Sequence, residues 1–91
     1  MTFDWDEVKR RENIRKHGID FVDVEDVFSG VTATVEDDRH AYGEQRFVTI
    51  GLLCGRVVAV VHTEHEDRIR IISVRKASKN EERRYFSEIG D

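Results

Sequence analysis

The chain has no proline and a single cysteine, Cys54. Without proline or a Ser/Gly-rich run, nothing reads as a linker between domains, and one cysteine cannot close an intramolecular disulfide. The implied compartment is a reducing one. No apolar run has the length of a membrane span or a signal-peptide core, so the expectation is a cytoplasmic protein with no membrane partner. The four histidines, His17, His40, His62 and His65, form no HExxH pair, and a lone cysteine builds no thiolate site. P-loop, GxGxxG and nucleophile-elbow patterns are missing too, so no metal and no cofactor is expected. Phosphate-directed chemistry remains open. It needs cations to neutralise developing charge and a group titrating near neutrality to move protons, an inventory of Arg with His or Glu.

Ninety-one residues suffice for one modest core, and residues 1–91 read as a single domain. The composition, 38% hydrophobic and 37% charged, is globular but highly charged. A formal net charge of −4 argues against a generic polyanion binder. The charge is unevenly spread: residues 1–45 carry six basic and twelve acidic groups (−6), residues 46–91 nine and seven (+2). The second half is the basic one. An acidic first half can shield a nucleic-acid face or simply keep a small domain soluble.

Residues 46–76 organise the rest. Val, Ile, Phe and Thr dominate three runs, 46–53, 56–64 and 68–75, with turn-like separators Cys54-Gly55 and His65-Glu66-Asp67. The pattern predicts an antiparallel meander. A two-residue loop at Cys54-Gly55 places Leu53 opposite Arg56, Phe47 opposite His62 and Arg46 opposite Thr63. A second turn of two or four residues sets Thr63 against Arg70 or Arg68; a three-residue turn would swap the faces of the last strand. With an even turn, alternation groups Arg46, Thr63, Arg68 and Arg70 with Val48, Ile50, Val61, Ile72 and Val74, leaving His62, Ser73 and Arg75 on the other face.

Ahead of the meander, Phe3-Asp4-Trp5 suits an edge strand or a plug on the core. Asp6 is placed to cap a mostly wet helix, EVKRRENIRKH, which Gly18 ends. Asp20 caps a second helix whose stripe is Phe21, Val24, Val27 and Phe28. After Gly30, VTATVED alternates as a strand into the polar loop DDRHAYGEQ, where His40 and Glu44 form a possible acid/base pair. Ser78 and Glu81 have capping-box spacing for a last helix with Tyr85, Phe86 and Ile89 inward. The order predicts an α+β fold: an antiparallel four-stranded sheet, two N-terminal helices and a C-terminal helix, with the helices on one face.

Arg46, Arg68 and Arg70 around Thr63 suit a phosphate site, and equally a solvated cross-strand row paired with Glu44, Glu64 or Glu66. His62 suits proton transfer or a hydrogen-bonded place at the core edge; His65 lies in a turn. His17 beside Lys16 suits a helix end. The run RKASKNEERR reads as a helix surface or as an RNA or partner contact.

Four blocks in order, Phe3-x-Trp5-Asp6-x-x-Lys9, Asn13-x-x-Lys16-His17-Gly18-Ile19-x-Phe21, Glu44-x-Arg46-Phe47-x-x-Ile50-Gly51, and His62-Thr63-Glu64 with Arg68-Ile69-Arg70-Ile71-Ile72-Ser73 and Arg75, resemble the BrnT family of type II toxins. The resemblance implies a RelE-like fold and metal-independent RNA cleavage by attack of a ribose 2′-hydroxyl, inhibiting translation. It implies a BrnA-like antitoxin with a ribbon-helix-helix part, operator DNA being contacted only through that partner. Carried onto this chain, Arg46, Thr63, Arg70 and Arg75 bind or stabilise phosphate, and His62 or His65 transfers protons. Lys16, Arg68 and Lys76 contact RNA. The family commonly has arginine where this chain has His65 and alanine where it has Val74. An imidazole in place of a rigid five-donor cation implies weaker or pH-dependent activity. The alternative is a catalytically silent module that scaffolds a DNA-binding antitoxin.

Overall fold

The computed structural model describes residues 1–37 and 43–89. Its elements are β1 (Thr2–Trp5), α1 (Glu7–His17), a 3₁₀ turn (Phe21–Asp23), α2 (Val24–Ser29), β2 (Ala33–Asp37), β3 (Arg46–Leu53), β4 (Arg56–His65), β5 (Arg68–Lys76) and α3 (Lys79–Glu88). The loop pair His40 and Glu44 falls partly outside, since His40 is not among the described residues.

The meander follows the expected register. Leu53 pairs with Arg56 and Phe47 with His62 across a two-residue turn in which Cys54 and Gly55 both have positive φ, 51° and 78°. The second turn is the two-residue alternative: His65 pairs with Arg68 and Thr63 with Arg70. Two features correct the expected sheet. It has five strands in the order β1-β5-β4-β3-β2, not four, and it is mixed, because β1 runs parallel to β5 with Thr2 opposite Arg68 and Trp5 opposite Ile71. Local patterning carries no signal for a parallel pairing across so long a stretch of chain.

A bulge in β5 is the second correction. Val61 pairs with Ser73 but His62 with Ile71, so Ile72 is an extra residue and the alternation of β5 shifts beyond it. Val74 consequently joins Val58, Val60, Ile69 and Ile71 beneath the N-terminal helices. Ser73 and Arg75 move to the face of Val61 and Ala59.

The helices also divide, rather than sharing a face. Ile19, Phe21, Val24 and Val27 pack on one side of the sheet, with Phe3, Trp5 and Phe28 around them. Tyr85 of α3 packs on the other, over Val48, Ile50, Val57, Ala59 and Val61. β4 is therefore covered on both faces, and Val57 through His62 are all buried. Burial of a side chain such as Phe21 contributes on the order of 1.5–3 kcal/mol. The stripe expected of one second helix is buried at Phe21, which lies in the 3₁₀ turn, and at Val24 and Val27 of α2, but Phe28 is only half-buried.

Caps follow the sequence closely. Asp6 accepts from the Val8 and Lys9 amides, Asp20 from Val22, and Ser78 and Glu81 form the full capping box. Gly18 is left-handed, φ 70°, and its N–H donates to the Ile14 carbonyl. α1 is indeed wet: Val8 and Ile14 are exposed, and its one buried side chain is polar. That residue is Asn13. Its amide nitrogen donates to the carbonyls of Ile19 (3.0 Å) and Val74 (2.9 Å), and its oxygen accepts from the Val74 N–H (3.1 Å).

Two stability predictions follow from this packing. Asn13→Leu leaves the buried Val74 N–H and C=O without their side-chain partner and should cost about 2–4 kcal/mol in urea unfolding. A Cβ on Gly51 would lie 2.8 Å from the Val27 side chain and 3.2 Å from that of Thr32. Gly51→Ala should therefore destabilise the fold by about 1–3 kcal/mol, and relief by a simultaneous Val27→Ala would identify α2 as the clashing partner.

Candidate active site

The register assembles one polar row across all five strands. Asp37 of β2 pairs with Arg46 of β3, the position after the Phe47–His62 pair sets Arg46 beside Thr63 of β4, Thr63 pairs with Arg70 of β5, and Arg70 with Asp4 of β1. Two arginines flank a threonine and a carboxylate closes each end. The row lies on the same sheet face as α3, beyond the apolar patch of Val48 and Val61 that the helix covers.

Arg46 is 21% exposed, with Nη2 3.7 Å from Glu44 Oε1, while Arg70 and Arg68 are 52% and 65% exposed. Asp4 faces both of the latter: Oδ1 accepts from Arg70 Nη1 at 3.2 Å and Oδ2 is 3.5 Å from Arg68 Nε. The pairing of these arginines is thus with β1, and not with Glu64 or Glu66 as spacing on the hairpin suggested. Ion pairs this exposed add little stability but fix where the guanidinium groups stand.

His65 follows Thr63 by two positions, shares its face by alternation and is 86% exposed, with Nε2 3.7 Å from Glu66. His62 is on the opposite face and fully buried. Its Nε2 and the Thr49 hydroxyl share a hydrogen bond of 2.7 Å, and Thr49 in turn shares one of 2.8 Å with Thr34. Phe47 stacks on the ring and Phe28 meets it edge-on. Burial pushes the His62 imidazole down to about 4, so it is neutral at physiological pH.

The remaining candidates are dispersed. Arg75 shares the face of the row, but Ala59, its partner, precedes Thr63 by four residues, roughly 13 Å along a strand. Its guanidinium forms a two-pronged pair with Glu81 at 2.7 and 3.0 Å, tying β5 to the start of α3 and holding the Glu81 carboxyl below its usual range. Lys16 lines a shallow groove of 130 Å³ between α1 and β5 with Lys9, Asn13 and Ser73. Lys76 pairs with Val58, on the face opposite Arg75. Among the described residues no three His, Cys, Asp or Glu side chains gather as a metal site would need.

Sequence reasoning missed both ends of the row. Asp37 is buried, and alternation along VTATVED offered a signal for it once a register with β3 is known. Asp4 offered none, because its role rests on the parallel pairing of β1.

The family profile described as "Ribonuclease toxin, BrnT, of type II toxin-antitoxin system" matches residues 5–81, which hold the row from Asp37 through Arg70. The chain belongs to the BrnT family. Its fold is similar to the crystal structure of the Brucella abortus ribonuclease toxin BrnT, with a TM-score of 0.68 and 32% sequence identity over 87% of this chain and 99% of that one. Among curated proteins the comparison finds no match. In this BrnT-family chain, no helix among the described residues is long and apolar enough to cross a membrane.

A pH prediction attaches to His62. Its folded value, about 4, lies below the ordinary 6.5, so between these limits the unfolded chain binds the proton that the folded chain refuses. Stability from this group is complete above pH 6.5 and should fall by roughly 3 kcal/mol as pH drops toward 4. Urea unfolding at stepped pH checks this: His62→Gln should flatten the slope in that window, whatever its effect on absolute stability.

Proposed function

We propose that this chain is the toxin of a type II toxin–antitoxin module, a RelE-like endoribonuclease that cleaves RNA without a metal and so inhibits translation. The observation that carries the reading is the row itself: Arg46 and Arg70 on either side of Thr63, on an accessible sheet face, in a member of a family named for ribonuclease toxins. A phosphodiester set over Thr63 meets a guanidinium on each side. These cations stabilise the added negative charge as the 2′-oxygen bonds to phosphorus and the bond to the 5′-oxygen breaks. The products are a 2′,3′-cyclic phosphate and a 5′-hydroxyl. One proton leaves the 2′-hydroxyl and one reaches the departing oxygen. His65 is the imidazole on this face and the group proposed to carry it, with the buried His62 supporting the strand from behind.

Arg68 extends the cationic surface along β5, while Arg75, Lys16 and Lys76 contact more distant parts of the RNA. Asp4 orients Arg68 and Arg70 in the free toxin and competes with phosphate for them. The partner is a BrnA-like antitoxin whose ribbon-helix-helix part contacts operator DNA, in keeping with a toxin whose own net charge is −4. The proposed place of action is the cytoplasm.

The test is cleavage of a defined RNA by purified protein in the presence of a chelator. The parent should leave 2′,3′-cyclic phosphate ends, and Arg70→Ala should lose about 100- to 1000-fold in rate while keeping its stability within about 0.5 kcal/mol. Activity that vanishes with the chelator would overturn the metal-free route. No cleavage from pH 5 to 9, even with ribosomes present, would favour a silent module that only binds its antitoxin.

A further inference from the structure

Behind the arginine row, on the sheet face that carries α2, lies a groove of 300 Å³ lined by Phe28, Thr32, Thr34, Glu64, Arg68 and Ile69. This is the lower end of the size range of small-molecule sites. Both polar side-chain neighbours of the buried His62 ring lead into it. On the Nε2 side the hydrogen-bonded chain runs through Thr49 to Thr34. On the Nδ1 side, Glu64 Oε2 stands 3.6 Å away, and the buried Nδ1 makes no hydrogen bond of good geometry, the Thr63 backbone being the ring's other polar neighbour. A fully buried imidazole nitrogen so weakly partnered, turned toward a groove carboxylate, is unusual enough to require a reason.

The lining selects the ligand. Glu66 and Asp67 add two carboxylates to Glu64 against two cations, Arg68 and the Met1 ammonium, which stands 3.7 Å from Asp67, so the lining keeps a net negative charge that disfavours a phosphate. What suits the groove is a flat, uncharged group bearing hydrogen-bond donors. A carboxylate offers two acceptor oxygens side by side. Of the four RNA bases, guanine alone presents two adjacent donors, N1–H and the N2 amino group, on its pairing edge. Hydroxyls at Thr32 and Thr34 and the aromatic edge of Phe28 suit the remainder of a base, the combination by which unstacked bases are held in single strands. Arg68 joins the two surfaces, lining this groove while its guanidinium reaches Asp4 in the arginine row.

We infer that this groove is a nucleobase subsite that accepts guanine through Glu64, with the adjoining phosphate carried round the β4–β5 end to the arginines. The inference rests on the ribonuclease reading for its purpose but not for its test.

NMR titration of the whole protein with guanosine, adenosine, cytidine and uridine in turn decides it. Guanosine should shift the amides of Thr32, Thr34 and Glu64 and the ring signals of His62, and the other three should not. Glu64→Gln, an exposed isosteric change, should weaken guanosine binding at least tenfold with the fold retained. Equal shifts from all four nucleosides, no shifts in the groove, or stronger shifts from an arginine amide would overturn the proposal, the last pointing to a basic peptide as occupant. Cleavage mapping on mixed-sequence RNA separates the two readings. Cuts placed without regard to guanine would sink the subsite and leave the ribonuclease standing, whereas guanosine in the groove without any cleavage would do the reverse.

Discussion

The hydrogen bonds between the Asn13 amide and the backbone of Val74 hold the molecule's two halves in register. β1 accompanies β5 only as far as Ile71. Beyond that point the β5 backbone would face the N-terminal side without a strand, and one amide side chain supplies both the acceptor and a donor that a neighbouring strand would have offered. This lets a helix with almost no apolar surface sit against a sheet edge. It also coincides with the place where the bulge at Ile72 reverses which side chains of β5 face which layer. Upstream of the bulge β5 sends Arg68 and Arg70 to the α3 side; downstream it sends Ser73 and Arg75 there. One inserted residue thus brings Arg75 within reach of Glu81 and puts Val74 into the core.

Charge in this small protein is arranged by partner more than by total. Arg10 is gripped by Asp20 through two bonds and by Glu7 through a third, which raises its affinity for its proton and lowers that of Asp20. Arg75 is gripped in the same manner by Glu81. These pairs join elements: α1 to the turn before α2, and β5 to α3. Arg68 and Arg70 are held differently, sharing one aspartate at longer range and with most of their surface in water. An incoming anion has far less to displace there than at Arg10 or Arg75.

Much of this was legible in the chain. The Cys54-Gly55 turn, the register of Phe47 with His62, the caps at Asp6, Asp20, Ser78 and Glu81, and the buried stripe of α2 all depend on neighbours a few residues apart, where spacing is a direct record of geometry. The grouping of Arg46, Thr63 and Arg70 followed from the same counting. The errors lay where a single event acts over distance. The bulge obeys no spacing rule visible in RIRIISVRK, so Arg75 and Val74 were given the wrong faces. The parallel pairing of β1 depends on residues more than sixty positions apart. The choice of α3 for the opposite layer rests on Tyr85 packing against strand residues far back in the chain, and the importance of Asn13 was hidden because an asparagine in a wet helix ordinarily faces solvent.

The placement of β1 sets the order in which the cationic face is completed. Asp4 is made 66 positions before its partner Arg70. Until residues 68–71 have been synthesised there is no strand for β1 to lie against, and until β5 exists Thr63 has no second arginine at its side. The full arginine row is accordingly assembled only once β5 has been made. A fragment released early carries Arg46 and Thr63 but neither Arg70 nor the edge strand's aspartate in place.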